Sequence, residues 1–389
     1  MTKGFYTLLI AQFLSALADN ALLFALISML SMMDAPLWHT PMLKWVFVIS
    51  YIALAPFVGP FADAQPKGRV MFISNGIKFF GCMLALMGLP PLYVYAIVGF
   101  GAAAYSPAKY GILTEMLPSH LLIKANAWME GTTVAAIVFG PIFGTMISKN
   151  SPIIGIAVIT GIYLLAAFFN FRIPRMPIIH AAPKRDLQSL LADFWHAFTT
   201  LWRDAQGQVS LAVTTLFWGA GATLQFVVLS WAEVRLGFNK EESAILIGIL
   251  AVGIAAGSVL ASLYVKLEDT AKVLPSGIYM GILVIGMVFV YNPMIAAVLL
   301  FVVGVLAGYF LVPLNSLLQH RGHTLLGAGH SIAVQNFNEN IGIAIMLGAY
   351  ALMVHIEIGI NNIIILFGAF IIVSMGTITH LYRKKIQQS

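Results

Sequence analysis

A chain of 389 residues that is 60% hydrophobic and only 9% charged lies far below the roughly 25% charge of soluble domains. This excludes a soluble enzyme, a nucleic-acid-binding domain and a disordered protein. The isoelectric point is near 9.3 and the mean hydropathy is +0.91, and in so apolar a chain an excess of 21 Lys and Arg over 15 Asp and Glu points to basic loops beside a membrane.

A spanning helix needs about 20 apolar residues. Twelve spans are predicted, at 5–33, 44–62, 70–89, 92–117, 124–148, 152–172, 208–233, 242–265, 272–291, 293–318, 329–356 and 360–382. The first imitates a signal peptide, with an apolar run from Phe5 to Leu14 and then Ala16, Leu17 and Ala18. The apolar run resumes past Asp19 and Asn20 to Met33, so an uncleaved span is expected. After the second span, Gly59, Asp63, Gly68 and Arg69 resemble the major facilitator signature G-x-x-x-D-x-x-G-R, with two extra residues before the final Gly-Arg. Asp63 falls at a helix end, where a nearby cation can hold it, and Gly59 permits a close helix crossing.

The sixth span is followed by the one long connection, 173–207. It carries Pro174, Pro177 and Pro183, then Lys184, Arg185 and Asp186, then apolar residues at 187, 190, 191, 194, 198, 201 and 202. That spacing predicts an amphipathic helix on a membrane surface. The chain is therefore read as an all-α membrane protein: a six-helix half over 1–172, a cytoplasmic linker over 173–207 and a second six-helix half over 208–389. A weak repeat supports the two halves. Pro107 in span four is followed by Asn126 and Glu130 in span five, and Pro313 in span ten by Asn336 and Glu339 in span eleven, which fits the parallel halves of a major facilitator.

Charge sets the orientation. With the N-terminus inside, the cytoplasmic segments hold fifteen basic residues: Lys3, Lys67, Arg69, Lys124, Arg172, Arg175, Lys184, Arg185, Arg203, Lys266, Lys272, Arg321, Arg383, Lys384 and Lys385. The other side holds four, Lys44, Lys149, Arg235 and Lys240. The bias predicts cytoplasmic termini.

Five ionisable residues fall well inside spans: Asp19, Lys78, Lys109, Glu130 and Glu339. Each costs about 2.5–3.5 kcal/mol at mid-helix if unpaired, so they must pair, neutralise or face water. Gln12, Ser15 and Asp19 share one face of span one. Asp19 lies about 20 Å from the cytoplasmic end, and is either an anion in a substrate cavity or one group of an interhelical polar stripe. Lys78 and Lys109 lie about 12 Å deep. Lys109 and Glu130 are either a structural ion pair or separate, with Lys109 receiving a phosphate.

Phe217, Trp218, Gly221 and Gln225 are read as one face of span seven, with Gln225 near the depth of Asp19. Asn315 and Gln319 add polar groups in span ten, and Gln335, Asn336, Asn338, Glu339 and Asn340 in span eleven. These line a cavity or form a cytoplasmic gate with His320, Arg321 and His323, whereas His330 has no obvious partner. Gly140 with Gly144, and Gly253 with Gly257, permit close packing.

Catalytic signatures are absent. None of the nine histidines has Asp five positions on, and neither G-x4-G-K-[ST] nor H-E-x-x-H occurs. The single cysteine, Cys82, excludes an internal disulfide and a cysteine-based zinc site, and no cofactor is expected.

Across nearly its whole length the sequence resembles the lysophospholipid transporter family (LplT), a branch of the major facilitators. The stretches that carry the resemblance are Gln12 to Phe24, Gly101 to Leu113, Leu216 to Gly221, Val312 to Asn315 and Ala333 to Asn340. The resemblance implies a flippase that moves lysophosphatidylethanolamine and related lysophospholipids across the bacterial inner membrane to its cytoplasmic leaflet, where an acyltransferase re-acylates them. Asp19 would then receive an ethanolamine ammonium and Lys109 or Lys78 the phosphate, with Phe217 and Trp218 beside the tail. The family carries Arg where this chain has Gln225, so that position is expected to orient a headgroup without neutralising it. A monomer surrounded by membrane lipids is expected, with no nucleic-acid partner. Two readings compete: a proton-coupled exporter of drugs or small molecules with the same fold, and a membrane-embedded lipid enzyme, against which the missing motifs weigh.

Overall fold

The computed structural model describes residues 3–36, 39–174 and 186–388. Thirteen α-helices follow one another: α1 (Lys3–Met32), α2 (His39–Asp63), α3 (Lys67–Leu86), α4 (Pro91–Met116), α5 (Leu122–Ser148), α6 (Pro152–Phe171), α7 (Leu187–Arg203), α8 (Ala205–Leu236), α9 (Lys240–Tyr264), α10 (Pro275–Gly286), α11 (Pro293–Leu325), α12 (Ala328–His355) and α13 (Ile360–Gln388). Among the described residues, eleven helical segments are long and apolar enough to cross a membrane. The predicted fourth span, α4, is not among them, although its 26 residues give ample length. Its small residues, its four tyrosines, Lys109 and Glu115 lower its hydropathy, and it is largely buried among other helices. With α4 the helices make the twelve expected spans, and α7 is the amphipathic helix expected at 187–202.

Local chemistry sets the ends. Pro91 and Pro152 open α4 and α6, where a missing N–H costs nothing. Asp204 caps α8 through the Gly207 N–H at 2.9 Å. Asn239 and Glu242 form a reciprocal capping box at α9. Gly237 ends α8 in the left-handed region, φ 68°, where a Cβ would be strained. The predicted span at 272–291 differs: it is a 3₁₀ segment Leu267–Val273, then α10, then a 3₁₀ turn Met287–Phe289. Pro275 at the first turn of α10 has no N–H to continue the preceding ladder, so the span is pieced from three segments. The basic linker residues Arg175, Lys184 and Arg185 lie outside the described residues, as do Pro177 and Pro183.

The chain forms two compact units, each drawing on both halves of the sequence. One comprises Met1–Pro118, Thr132–Thr199 and Gly322–Phe337; the other Ser119–Gly131, Thr200–Arg321 and Asn338–Ser389. The first has a core of Leu22, Leu26, Val94, Ile156 and Tyr163 from α1, α4 and α6. The second is built around Trp231, Val284, Phe310 and Ile364, and the Trp231 indole donates to the Met287 carbonyl at 3.1 Å.

Both glycine pairs pack closely, as expected. A Cβ at Gly144 would strike the Ala21 backbone, its Cα at 2.8 Å, and Gly253 and Gly257 lie against Phe301, Gly304 and Val305. Large apolar side chains face outward, including Phe171, Phe289 and Tyr264, while Lys78 is among the most deeply buried side chains. That inversion suits a lipid surround and a polar interior.

Candidate functional site: a buried ion pair and a helix-end clasp

The polar face of α1 meets α3, α4 and α6 inside the first unit. Asp19 accepts from the Lys78 ammonium at 2.7 Å on one carboxylate oxygen and from the Tyr163 hydroxyl at 2.7 Å on the other. Lys78 also donates to Ser15 Oγ at 3.0 Å, and Ser15 donates to Asn75 Oδ1 at 2.7 Å. The ammonium faces the rings of Tyr105 and Tyr163, 5.0 and 5.6 Å from their centroids, an attraction that strengthens when water is excluded. Gln12 donates to Thr133 at 2.6 Å, tying α1 to α5. The +3 and +4 spacing on α1 is legible in the residues themselves; the partners Tyr163 and Asn75 carry no signal a single sequence reveals.

Sequence detail explains why Lys78 fits. Gly101 on α4 has no Cβ, and one placed there would lie 2.6 Å from Lys78 Cγ and 2.7 Å from the Ser74 carbonyl. Gly101→Ala is therefore expected to displace the Lys78 stem and cost about 1–3 kcal/mol, read as a fall in the unfolding midpoint of the purified protein.

A cavity of about 70 Å³ opens on this network, lined by Gln12, Ser15, Asp19, Lys78, Tyr105 and Lys109 among others. It holds a few waters or a small polar group, so a lipid headgroup needs the helices to part. Lys78 is 1% exposed at the side chain and Asp19 is 19% exposed, so the carboxylate is the more accessible member of the pair. Lys109 reaches the same wall, with its ammonium 4.1 Å from the Tyr110 ring centroid. Asn75 Nδ2 is buried without a hydrogen-bond partner, and such a group seeks water or ligand.

Glu130 lies in the second unit, where Asn315 donates to it at 3.3 Å. One turn earlier, Asn126 and Gln319 exchange two amide hydrogen bonds of 2.9 and 2.8 Å, so the polar residues of spans five and ten meet. Glu339 is buried. The expected common face of span seven divides: Phe217 is buried against Phe310, Trp218 is half-buried, and Gly221 and Gln225 are exposed. Positions 217 and 218 lie about 100° apart on a helix, so one turns inward when the other does not.

The second constellation is at the end of α2. Asp63 accepts from Lys67 Nζ at 2.7 Å and from the Gly329 N–H at 2.7 Å on one oxygen. Its other oxygen accepts from the His330 N–H at 3.1 Å and lies 2.7 Å from His330 Nδ1. The carboxylate thus caps the first turn of α12, where orphan N–H groups and the helix dipole favour an anion. His330, expected to lack a partner, is therefore part of this clasp. The cation that holds Asp63 is Lys67, which also lies 3.4 Å from Glu115; Arg69 is exposed. Glycine makes the approach possible, since a Cβ at Gly329 would sit 2.6 Å from Asp63 Oδ1 and one at Gly59 3.0 Å from His330 Cα. Ser106 on α4 adds a bond of 3.2 Å to Asn336 on α12.

A third link closes the second unit. Arg321 on α11 forks onto Asp204, with its closest contact at 2.7 Å. Burial opposes ionisation of Asp204, but the Arg321 guanidinium and the Gly207 N–H hold its carboxyl below the usual carboxylate range.

Residues 8–347 match the Major Facilitator Superfamily. The lysophospholipid transporter LplT of Serratia proteamaculans is 42% identical over 92% of this chain and 90% of its own length. LplT of Escherichia coli O7:K1 is 42% identical over 95% of this chain and 93% of its own length. A bacterial homologue of the iron transporter ferroportin, solved in an outward-facing state, superposes with a TM-score of 0.77 over 98% of this chain and 100% of its own, at 13% identity; that likeness concerns the fold alone. The chain belongs to the major facilitator superfamily and, within it, to the lysophospholipid transporter family.

Proposed function

We propose that this chain carries lysophospholipids across a bacterial inner membrane, delivering them to the leaflet on the side of its basic loops, where an acyltransferase consumes them. The observation that carries the reading is the Asp19–Lys78–Tyr163 network beside Lys109, a charged site walled by helices that are otherwise apolar. A lysophospholipid has a phosphate, in many cases an ammonium, and one acyl chain. The cavity wall offers two ammonium groups and one carboxylate, which matches such a headgroup in kind. Asp19 and Lys78 neutralise each other, so the protein can hold both in the membrane at little cost. When the helices part, Asp19 exchanges Lys78 for a substrate ammonium, and Lys109, a compact charge, takes the phosphate. The tail remains among the apolar side chains. Asp63 and its α12 partners form the gate at the basic side, and opening it releases the substrate. The two six-helix halves, joined through 173–207, supply the rocking motion that a parallel repeat provides. The protein acts as a monomer with both termini on the cytoplasmic side.

Lys109 and Glu130 test the binding role. In liposomes containing the purified protein, Lys109→Glu is expected to lower lysophosphatidylethanolamine transfer by roughly tenfold or more, the loss of a charge-assisted phosphate contact. Adding Glu130→Lys is expected not to restore it. Recovery in the charge-swapped double variant would mark the two residues as an ion pair and remove Lys109 from the headgroup site.

A further inference from the structure

Helix α7 carries two apolar faces, where a helix seated on a bundle needs one. Phe194, Ala197 and Leu201 are buried, and the Phe194 ring meets Phe337 of α12 edge-on, with centroids 5.2 Å apart. Leu187, Leu191 and Trp195 follow at intervals of four, so they form a stripe along the helix, and they are 61%, 42% and 56% exposed. Gln188, His196, Thr199 and Arg203, on the remaining arc, are exposed and polar. Two observations say what covers the stripe. α7 passes into α8 with Asp204 alone between them, and α8 is long and apolar enough to span, so α7 ends where a span meets water. The stripe also has the composition that this boundary favours, leucine with tryptophan beside a polar arc.

A train of rings leads inward from the stripe. Trp195 lies 5.1 Å from Phe198 and 6.3 Å from Phe194, and both phenylalanines pack edge-on against Phe337, at 6.2 and 5.2 Å. Phe337 follows Asn336, which takes the Ser106 hydrogen bond, and it stands about two turns after His330 of the Asp63 clasp. All these residues belong to the first unit. We infer that the stripe of Leu187, Leu191 and Trp195 docks into the boundary between headgroups and acyl chains, in the leaflet on the side of the basic loops, and that this anchorage steadies α12 through Phe194, Phe198 and Phe337. Lipid then supports the clasped arrangement from outside, as Asp63 does from within. The coupling to α12 rests on the proposed reading of the clasp as a gate; the docking does not.

Spin labels on the full chain, in vesicles of phosphatidylethanolamine and phosphatidylglycerol, test the docking. Cys82 is buried, so Trp195→Cys and His196→Cys each add one accessible thiol. The label at 195 is expected to collide with oxygen dissolved in lipid and to be shielded from a water-soluble nickel complex, and the label at 196 to show the reverse. Equal nickel access at both positions would overturn the docking. Shielding of 195 from both reagents would mean that a second copy or another protein covers the stripe, which overturns it as well. Hydrogen exchange in lipid nanodiscs tests the coupling. Leu191→Gln combined with Trp195→Gln is expected to exchange the Gly329 and His330 amides roughly fivefold faster than the wild type, while Gln188→Ala, on the polar arc, exchanges like the wild type. Leu191, Trp195 and Gln188 are all exposed, so these variants keep the fold. Unchanged exchange in the double variant would overturn the coupling; acceleration in Asp63→Asn alone would then leave the gate reading standing without it. Neither measurement involves lysophospholipid transfer, so both are decided apart from the transport activity.

Discussion

Asp19→Asn is expected to abolish transport and to destabilise the protein at the same time. The reason is Lys78. Its ammonium is buried, and Asp19 is the carboxylate at 2.7 Å that balances it. Removing one member of a buried pair typically costs about 3–5 kcal/mol, because the other charge is left uncompensated. Two effects then coincide, loss of the substrate contact and loss of fold stability, and a double variant separates them. Asp19→Asn with Lys78→Gln removes both charges and keeps hydrogen-bonding groups for Tyr163 and Ser15. Its unfolding midpoint is expected to return close to that of the wild type while transport stays absent. A double variant that regains both would show that the pair serves the fold alone.

Asp63→Asn is the second change with a large expected effect. The carboxylate is 5% exposed at its side chain and receives two backbone N–H groups of α12 as well as Lys67. An amide offers one acceptor oxygen and turns its NH2 toward donors, so at least one helix N–H loses its partner and Lys67 loses its nearer carboxylate, keeping Glu115 at 3.4 Å. Hydrogen bonds to a charged group are worth about 1.5–3 kcal/mol each, so the clasp between α2 and α12 is expected to weaken by on the order of 3 kcal/mol, roughly a hundredfold in equilibrium terms. If the clasp is the proposed gate, that gate is expected to stay closed less of the time. Hydrogen exchange at Gly329 and His330 is expected to accelerate strongly, and net transport to fall even though the cavity around Asp19 is untouched. Unchanged exchange at those two amides would show that the clasp contributes nothing to closure.

Much of this architecture is legible in the sequence because lipid imposes a simple rule: every backbone polar group must be satisfied within a helix. Runs of apolar residues therefore mark spans directly, and the twelve expected helices appear. α4 shows the limit, since a helix buried among helices need not be hydrophobic outside and hydropathy alone underrates it. α10 shows another, where Pro275 breaks a run that looks continuous by composition. At the site, the face shared by Gln12, Ser15 and Asp19 follows from helical period, and so does the conclusion that five intramembrane charges need partners. Which partners they find is a question of tertiary packing. Lys78 was visible as a buried cation, but that it sits on Asp19 depends on Gly101 leaving room for its stem. The partner of His330 is 267 residues away in sequence, a pairing that no local pattern signals. Gly59, which permits a close helix crossing, is the signal in the sequence that points toward it.

The central claim, that lysophospholipid crosses the bilayer through this protein, is tested most directly in liposomes of one purified component. A fluorescent lysophosphatidylethanolamine is placed in one leaflet, and the fraction extractable by albumin is followed over time. Wild-type protein is expected to make the label inaccessible far faster than empty liposomes do, with liposomes containing the stable Asp19→Asn, Lys78→Gln double variant behaving like empty ones. Transfer at the same rate in empty, double-variant and wild-type liposomes would contradict the account.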